Sequence, residues 1–207
     1  MLSKHIYRFF CALTLFLSSG LAFATVMVVN FDSFGDSEVL SNQIVGLTFQ
    51  NSTVLTAGVS LNEFEFPPHS DFNVVVDDGG AITINFDSPV TVVSGFFTYL
   101  SQLTLDAFDS GSNLVATDLS DFASNTALSG VIGSSPNELL SVSSATGIAR
   151  IVLTGDPAGF SFVMDDLTVT TGDNGNSVPE PGTLPLFVTA IVAAALTVGR
   201  SRRRVVT

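Results

Sequence analysis

The stretch Ala81-Ile82-Thr83-Ile84-Asn85-Phe86 alternates apolar and polar side chains residue by residue after its first position. In an extended strand, such alternation places Ile82, Ile84 and Phe86 on one face and the polar side chains on the other. An amphipathic helix would instead need apolar residues three and four positions apart. The stretch therefore predicts a β-strand with one face in a core and the other in water.

The same rhythm recurs over about 150 residues, between segments rich in Gly, Asp and Asn that are typical of turns. Further strands are predicted at residues 26–31, 45–49, 73–76, 90–99, 103–108, 114–117, 148–154 and 160–170. No segment of this region has the apolar spacing of an amphipathic helix. Short strands about ten residues apart, in a region of this size, predict one all-β domain over residues 25–171, an antiparallel jelly-roll-like β-sandwich.

The charge of the chain is concentrated in this domain and the short linker after it. Residues 25–178 contain 18 of the 19 acidic residues and one base, Arg150, which leaves 17 net negative charges. Nucleic acids and anionic lipid headgroups would be repelled, so the sequence predicts no nucleic-acid partner. Solubility of an exported domain is the simplest reason for such a composition.

The N-terminus has the three parts of a secretory signal peptide. Basic residues fall within positions 4–8, an apolar run follows at 9–19, and Ala22 and Ala24 form a small-x-small cleavage site. This pattern predicts a signal peptide over residues 1–24 and a mature chain that begins at Thr25. The only cysteine, Cys11, lies inside this leader, so the mature protein has no disulfide and no cysteine-based metal site.

The C-terminus combines a polar motif, an uncharged segment and a basic cluster. Pro179, Glu180 and Pro181 follow a flexible linker at 172–178. The next 18 residues, 182–199, would span roughly 27 Å as a helix, close to the ~30 Å of a bilayer core. The segment therefore predicts one transmembrane helix. The cluster that follows it, which would hold the C-terminus in the cytoplasm, consists of Arg200, Arg202, Arg203 and Arg204.

This tripartite arrangement resembles the PEP-CTERM sorting signal of Gram-negative bacteria. The resemblance implies processing near Pro179-Glu180-Pro181 by an exosortase-type membrane enzyme, after export across the inner membrane. It also implies a final location at the cell surface or in the extracellular matrix, with exopolysaccharide as a partner. An ordinary single-pass anchor is the alternative. A GPI signal fits less well because it ends in its hydrophobic tail.

The middle of the chain resembles the β-sandwich domains that PEP-CTERM proteins commonly carry. The resembling segments are residues 66–68, 93–99, 103–109 and 162–167. The resemblance supports the fold more than any function.

Residues suited to catalysis are scarce. After export, His69 is the one remaining histidine, in the proline-stiffened segment 67–71, and a surface loop is its simplest role. Glycoside hydrolysis would need only two carboxylates at a set separation. The pairs Asp77-Asp78 and Asp165-Asp166 are neighbours in sequence, however, and neighbours in a strand point to opposite faces. We therefore predict no catalytic residues.

Asp165 and Asp166 interrupt an otherwise hydrophobic strand, and a buried carboxylate needs a hydrogen-bond donor, water or a metal. By analogy with jelly-roll modules, a structural calcium ion at Asp32, Asp165 and Asp166 is one hypothesis. An edge-strand bulge or a salt bridge to Arg150 is the alternative.

Carbohydrate binding usually relies on exposed Trp and Tyr. The chain has no Trp, and Tyr99 is the only Tyr beyond the leader. Phe64 and Phe66 are the candidates for an exposed aromatic patch, although packing roles suit them better. The sequence as a whole predicts an exported, non-enzymatic surface or matrix protein. The alternatives are a secreted carbohydrate-binding module and a carboxylate-dependent glycoside hydrolase.

Overall fold

The computed structural model describes residues Ala24–Gly172. Across these residues the chain is all-β, without a helix, and its strands pair antiparallel, which confirms the predicted fold class. Within this part of the chain, no helix is long and apolar enough to cross a bilayer. Apart from Ala24, the predicted signal peptide lies outside the described residues. The sorting motif, the transmembrane segment and the arginine cluster also lie outside them.

Nine strands form within the described residues. They are β1 (Thr25–Val29), β2 (Leu47–Gln50), β3 (Ser52–Thr56), β4 (Asn73–Asp77), β5 (Ile82–Tyr99), β6 (Thr104–Phe108), β7 (Leu114–Leu119), β8 (Glu138–Thr154) and β9 (Phe162–Thr171). The predicted strands at 81–86 and 90–99 form one strand, β5, which begins at Ile82. Strand β8 begins ten residues earlier than predicted, and β3 is absent from the sequence-based prediction.

All nine strands belong to one hydrogen-bonded network in the order β3-β4-β9-β5-β8-β6-β7, with β1 on β9 and β2 on β5. Because β5 and β8 are 18 and 17 residues long, each contributes to two halves of the sheet. The first half of β5 pairs with β2 and the end of β8; its second half pairs with β9 and the start of β8. The jelly-roll strand arrangement stays a prediction.

The two long strands are irregular at the same place. Their pairing register shifts between Asn85 and Val90 and again before Val92. Pro89 lies in this segment of β5, where a proline is tolerated at a bulge. Across from it, Gly147 has φ 90°, and a Cβ at this position would approach the Pro89 Cβ to 2.9 Å. The bulged segment is where one half of the sheet passes into the other.

One core serves both halves of the sheet. It includes Ile82 and Ile84 from the first half of β5 and Val93 and Phe97 from the second, all 1% exposed or less. The inward-facing residues of β5 are even-numbered before the bulge and odd-numbered after it, because the extra residues reset the alternation.

The first and last strands pair with each other. Thr25 of β1 lies opposite Thr171 of β9, and the pairing runs to Val29 opposite Leu167. Met27 and Val29 of β1 pack against the core, whereas Val26 and Val28 point outward. The folded unit therefore begins and ends at neighbouring positions in the sheet.

Candidate functional site

The outer face of the second half of the sheet holds the polar cluster of interest. On β9, Phe162 and Met164 face the core, so Val163 and Asp165 face outward. The loop between β3 and β4, residues 57–72, lies over this face, and we call it the covering loop. Its Leu61 and Phe66 pack with Val163 and two outward valines of β4 in a second small apolar cluster.

Asp165 is held under the covering loop and is 1% exposed. Its Oδ2 accepts the backbone N–H groups of His69 and Ser70, both at 2.8 Å. Its Oδ1 accepts the N–H of Asp166 at 2.7 Å. Burial raises the pKa of Asp165 to about 6, and the negative charge of Asp166 adds to the rise, against the lowering effect of the backbone donors.

Asp166 occupies a β-bulge. The register between β5 and β9 passes from Ser94 opposite Thr168 to Phe96 opposite Asp165, so β9 has one residue more than β5 here. Asp166 is that residue, with φ 48°, a left-handed conformation that Asp and Asn tolerate better than most side chains. The bulge returns Leu167 and Val169 to the core. The bulge hypothesis is thus confirmed, although β9 lies between other strands and is not an edge strand.

The side chain of Asp166 binds the covering loop. Its Oδ2 lies 2.6 Å from His69 Nδ1, and its Oδ1 accepts the Ser70 hydroxyl at 2.9 Å. The imidazole ring stacks on Phe96 of β5, with 3.4 Å between ring centroids and 6° between ring planes. Because the His69 side chain is still 36% exposed, one part of the ring faces solvent. His69 is a loop residue, as predicted, but one that is fixed in orientation.

Arg150 does not bind these carboxylates. Among the described residues, the salt bridge found is that between His69 and Asp166. The guanidinium carbon of Arg150 instead lies 4.5 Å from the centre of the Phe108 ring, on the strand pair β6–β8. The salt-bridge alternative from the sequence is therefore wrong, because Arg150 belongs to the other half of the sheet.

The calcium hypothesis stays a prediction. Asp32 lies on the segment after β1, where its Oδ1 accepts the N–H groups of Phe72 and Asn73 at 3.3 and 3.0 Å. Its Oδ2 is buried without a hydrogen bond. In the conformation described for residues 24–172, however, no three acidic or histidine side chains are grouped so as to hold a metal. Asp165 and Asp166 instead use their oxygens to bind protein donors.

The other acidic pair is divided between a buried and a half-buried position. Asp77 is the last residue of β4 and is fully buried. Its carboxylate accepts hydrogen bonds from the N–H and the hydroxyl of Ser161, both at 2.7 Å, and from the N–H of Phe162 at 3.0 Å. Burial raises its pKa, although these donors oppose the rise. Asp78 accepts the Thr53 hydroxyl at 2.8 Å. Through its bonds to Ser161 and Phe162, Asp77 fixes the start of β9.

The aromatic residues considered for ligand binding have different positions. Tyr99 is fully buried and donates its hydroxyl to Glu138, and burial raises its pKa to about 12. Phe66, which belongs to the covering loop, packs against the second apolar cluster and so has the packing role that suited it better. Phe64 is 79% exposed at the surface of that loop. The exposed aromatic ring beside the carboxylates is instead that of His69, which stacks on Phe96. No local sequence pattern indicates this contact.

Next to this cluster, the outer face carries no ionisable side chain over four adjacent strands. Strand pairing places Val26, Thr170, Val92 and Ser143 in one row and Val28, Thr168, Ser94 and Ser141 in the next. We call these eight residues of β1, β9, β5 and β8 the neutral band. All eight are half-buried or exposed. Phe96 and Leu139 continue the same face toward His69.

Comparisons with known proteins give distant likenesses of fold. No family model matches the chain, and no curated protein does. Among solved structures, the K2 cleaved adhesin domain of Lys-gingipain is 12% identical, with a TM-score of 0.47 over 71% of this chain and 100% of that one. The K1 cleaved adhesin domain of Lys-gingipain from Porphyromonas gingivalis W83 is 8% identical, with a TM-score of 0.44 over 72% and 99%.

A family 29 carbohydrate-binding module from Piromyces equi is 15% identical, with a TM-score of 0.40 over 76% of this chain and 97% of that one. At these identities and scores, the likenesses assign no function to this chain.

Proposed function

We propose that this chain is an exported, non-enzymatic protein of the cell surface or extracellular matrix, delivered by its N-terminal leader and processed at its C-terminal PEP-CTERM-like signal. The observation that supports this proposal is the pairing of Thr25 with Thr171. The first strand begins directly after the proposed cleavage site, and the last strand ends eight residues before Pro179. The folded unit is therefore complete without either proposed signal.

The carboxylates support a non-enzymatic role. A general acid for glycoside chemistry needs a raised pKa and access to the substrate. Asp77 and Asp165 have raised pKa values, yet both are 1% exposed or less. Their oxygens accept backbone N–H groups and, at Asp77 Oδ2, the Ser161 hydroxyl. We interpret both as groups that fix loops to the sheet, which disfavours the hydrolase alternative.

Export is tested by locating the domain in cells that express the full chain. We expect proteinase K added to intact cells to degrade surface-retained domain, and any released domain to appear in the medium. The double variant Leu13→Arg/Leu15→Arg places charges in the apolar part of the leader and should keep the protein inside and protected. The matched variant Leu13→Ile/Leu15→Ile should behave as the wild type. Export of the arginine variant would contradict the proposed leader.

A further inference from the structure

The neutral band is unusual on a domain of this composition. The acidic residues of the mature chain repel anionic partners, yet no carboxylate projects from the eight positions of the band. With neighbouring strands ~4.8 Å apart, four strands give a surface roughly 14 Å wide. The side chains on it are valine methyl groups and serine or threonine hydroxyls, so the surface is both apolar and capable of hydrogen bonds.

Acidic groups border the band instead of interrupting it. At one end, Asp166 is paired with His69. At the β8 side, the Asp118 carboxylate accepts the N–H of Ser141 at 2.8 Å. An anionic polymer would meet these charges and the net charge of the domain, and a second copy of the domain would meet the same repulsion. A cationic partner would bind the acidic surface rather than its uncharged part. The charge distribution therefore favours an uncharged partner.

His69 adds an oriented aromatic ring at the end of the band. Stacking on Phe96 fixes the ring plane, and the contact of Nδ1 with Asp166 directs Nε2 away from that carboxylate. A ring held in this way loses little conformational freedom on binding. It offers a flat face for stacking and one nitrogen for a hydrogen bond, next to a surface of hydroxyl and methyl groups.

We propose that the neutral band and the His69 ring form a docking surface for a neutral polysaccharide. Sugar rings present C–H faces and hydroxyl edges, which match the methyl and hydroxyl groups of the band and the exposed part of the imidazole. The inference deepens the proposed surface or matrix role and rests on it.

The test is affinity electrophoresis of the mature protein recovered from cells that express the full chain. Native gels contain a neutral β-glucan, a galactomannan, dextran, or the anionic polygalacturonate. We expect retardation by at least one neutral polymer and none by polygalacturonate. Ser143→Glu, which puts a charge in the band, should weaken binding at least tenfold. Thr154→Glu adds the same charge at an exposed position on the same strand but in the other half of the sheet, and should leave binding unchanged.

Two further variants examine the ring. His69→Ala should weaken binding at least tenfold, whereas His69→Phe, which keeps a flat ring, should retain most of it. Circular dichroism and the unfolding midpoint establish that each variant is folded.

Three results would overturn the proposal. The first is a folded wild type that none of the neutral polymers retards. The second is binding that Ser143→Glu and His69→Ala leave unchanged. The third is a dimer in sedimentation experiments that Ser143→Glu dissociates, because the occupant of the band would then be a second copy. Export and processing are measured separately, so failure here leaves the proposed function standing.

Discussion

His69 Nδ1 lies 2.6 Å from Asp166 Oδ2, although the two residues are 97 positions apart in the sequence. This contact, with the hydrogen bonds of Asp165, fixes the end of the covering loop to the bulge of β9. Regular alternation after Met164 would turn the Asp166 side chain into the core and Leu167 outward. The bulge reverses both directions. The loop, the bulge and the oriented imidazole are therefore one structural unit beside the neutral band.

Removal of the charge of Asp166 should loosen this unit. Asp166→Asn keeps the shape and tolerates φ 48°, but it loses the charge-assisted bond to a partly exposed His69. We expect a loss of about 1 kcal/mol in the free energy of unfolding by urea denaturation, with faster hydrogen exchange at residues 69 and 70.

Asp71→Asn is the matched control for that variant. Asp71 lies in the same loop, also has a positive φ, and is exposed. Its replacement should change stability by less than about 0.5 kcal/mol. Equal losses for the two variants would show that the contact with His69 contributes nothing.

Asp165 should make stability fall as the pH rises. Its folded pKa is about 6 and its ordinary value 3.8, so between these values the folded state binds the proton more tightly. The stabilisation is fully present below pH 3.8 and is lost as the pH passes 6, by about 3 kcal/mol at most. The check is urea denaturation of the wild type and Asp165→Asn at pH values on both sides of this window.

The difference between these two profiles isolates Asp165, since the other carboxylates are present in both proteins. We expect the stability of the wild type relative to Asp165→Asn to decline over this window. A difference that does not change with pH would contradict the assignment.

Asp77 and Asp78 should differ sharply in their effect on stability. Asp77→Ala leaves three donors of Ser161 and Phe162 buried without acceptors, which should cost about 3–5 kcal/mol. Asp78→Ala loses one part-buried hydrogen bond, from the Thr53 hydroxyl, and should cost about 1 kcal/mol. Thermal and urea denaturation of the two variants measure both values. Similar losses would refute the anchoring role of Asp77.

Gly159 should not accept a side chain. A Cβ there would lie 2.5 Å from Gly79 N and 2.9 Å from Asp77 O, both backbone atoms, at φ 82°. Gly58 has a similar φ of 75° but open space around it. We expect backbone strain alone, about 1–2 kcal/mol, for Gly58→Ala and a clearly larger loss for Gly159→Ala. The unfolding midpoints of the two variants measure this difference. Equal losses would show that close packing of the β8–β9 turn adds nothing to the stability of the domain.

Sequence patterns predicted the strands well where alternation was regular, as in Ile82, Ile84 and Phe86. They divide β5 at Pro89 because proline usually ends a strand, whereas here the proline lies in a bulge of a continuous strand. They do not predict β3, because its polar Ser52 and Thr53 are buried beside Val54 and the segment therefore lacks the usual polar–apolar alternation. Tertiary packing, which local patterns do not report, decided both cases.

The bulge had a local signal and the site beside it had none. Around Asp165-Asp166, the apolar residues are even-numbered before the pair and odd-numbered after it, which is the pattern of one inserted residue. That pattern indicates a bulge but not its partner. The contacts of His69 with Asp166 and Phe96 join segments far apart in the chain, so only the folded structure brings them together.

The most direct test of the central claim is the intact mass of the protein recovered from the cell surface and the medium. We predict a chain that begins near Thr25 and ends near residues 178–181, and loss of that product in Pro179→Ala/Glu180→Ala/Pro181→Ala. The neighbouring variant Asn174→Ala/Asn176→Ala/Ser177→Ala should be processed normally. A product that retains residues 182–207 whether or not the motif is intact would make this a single-pass anchored protein and would contradict the proposed processing.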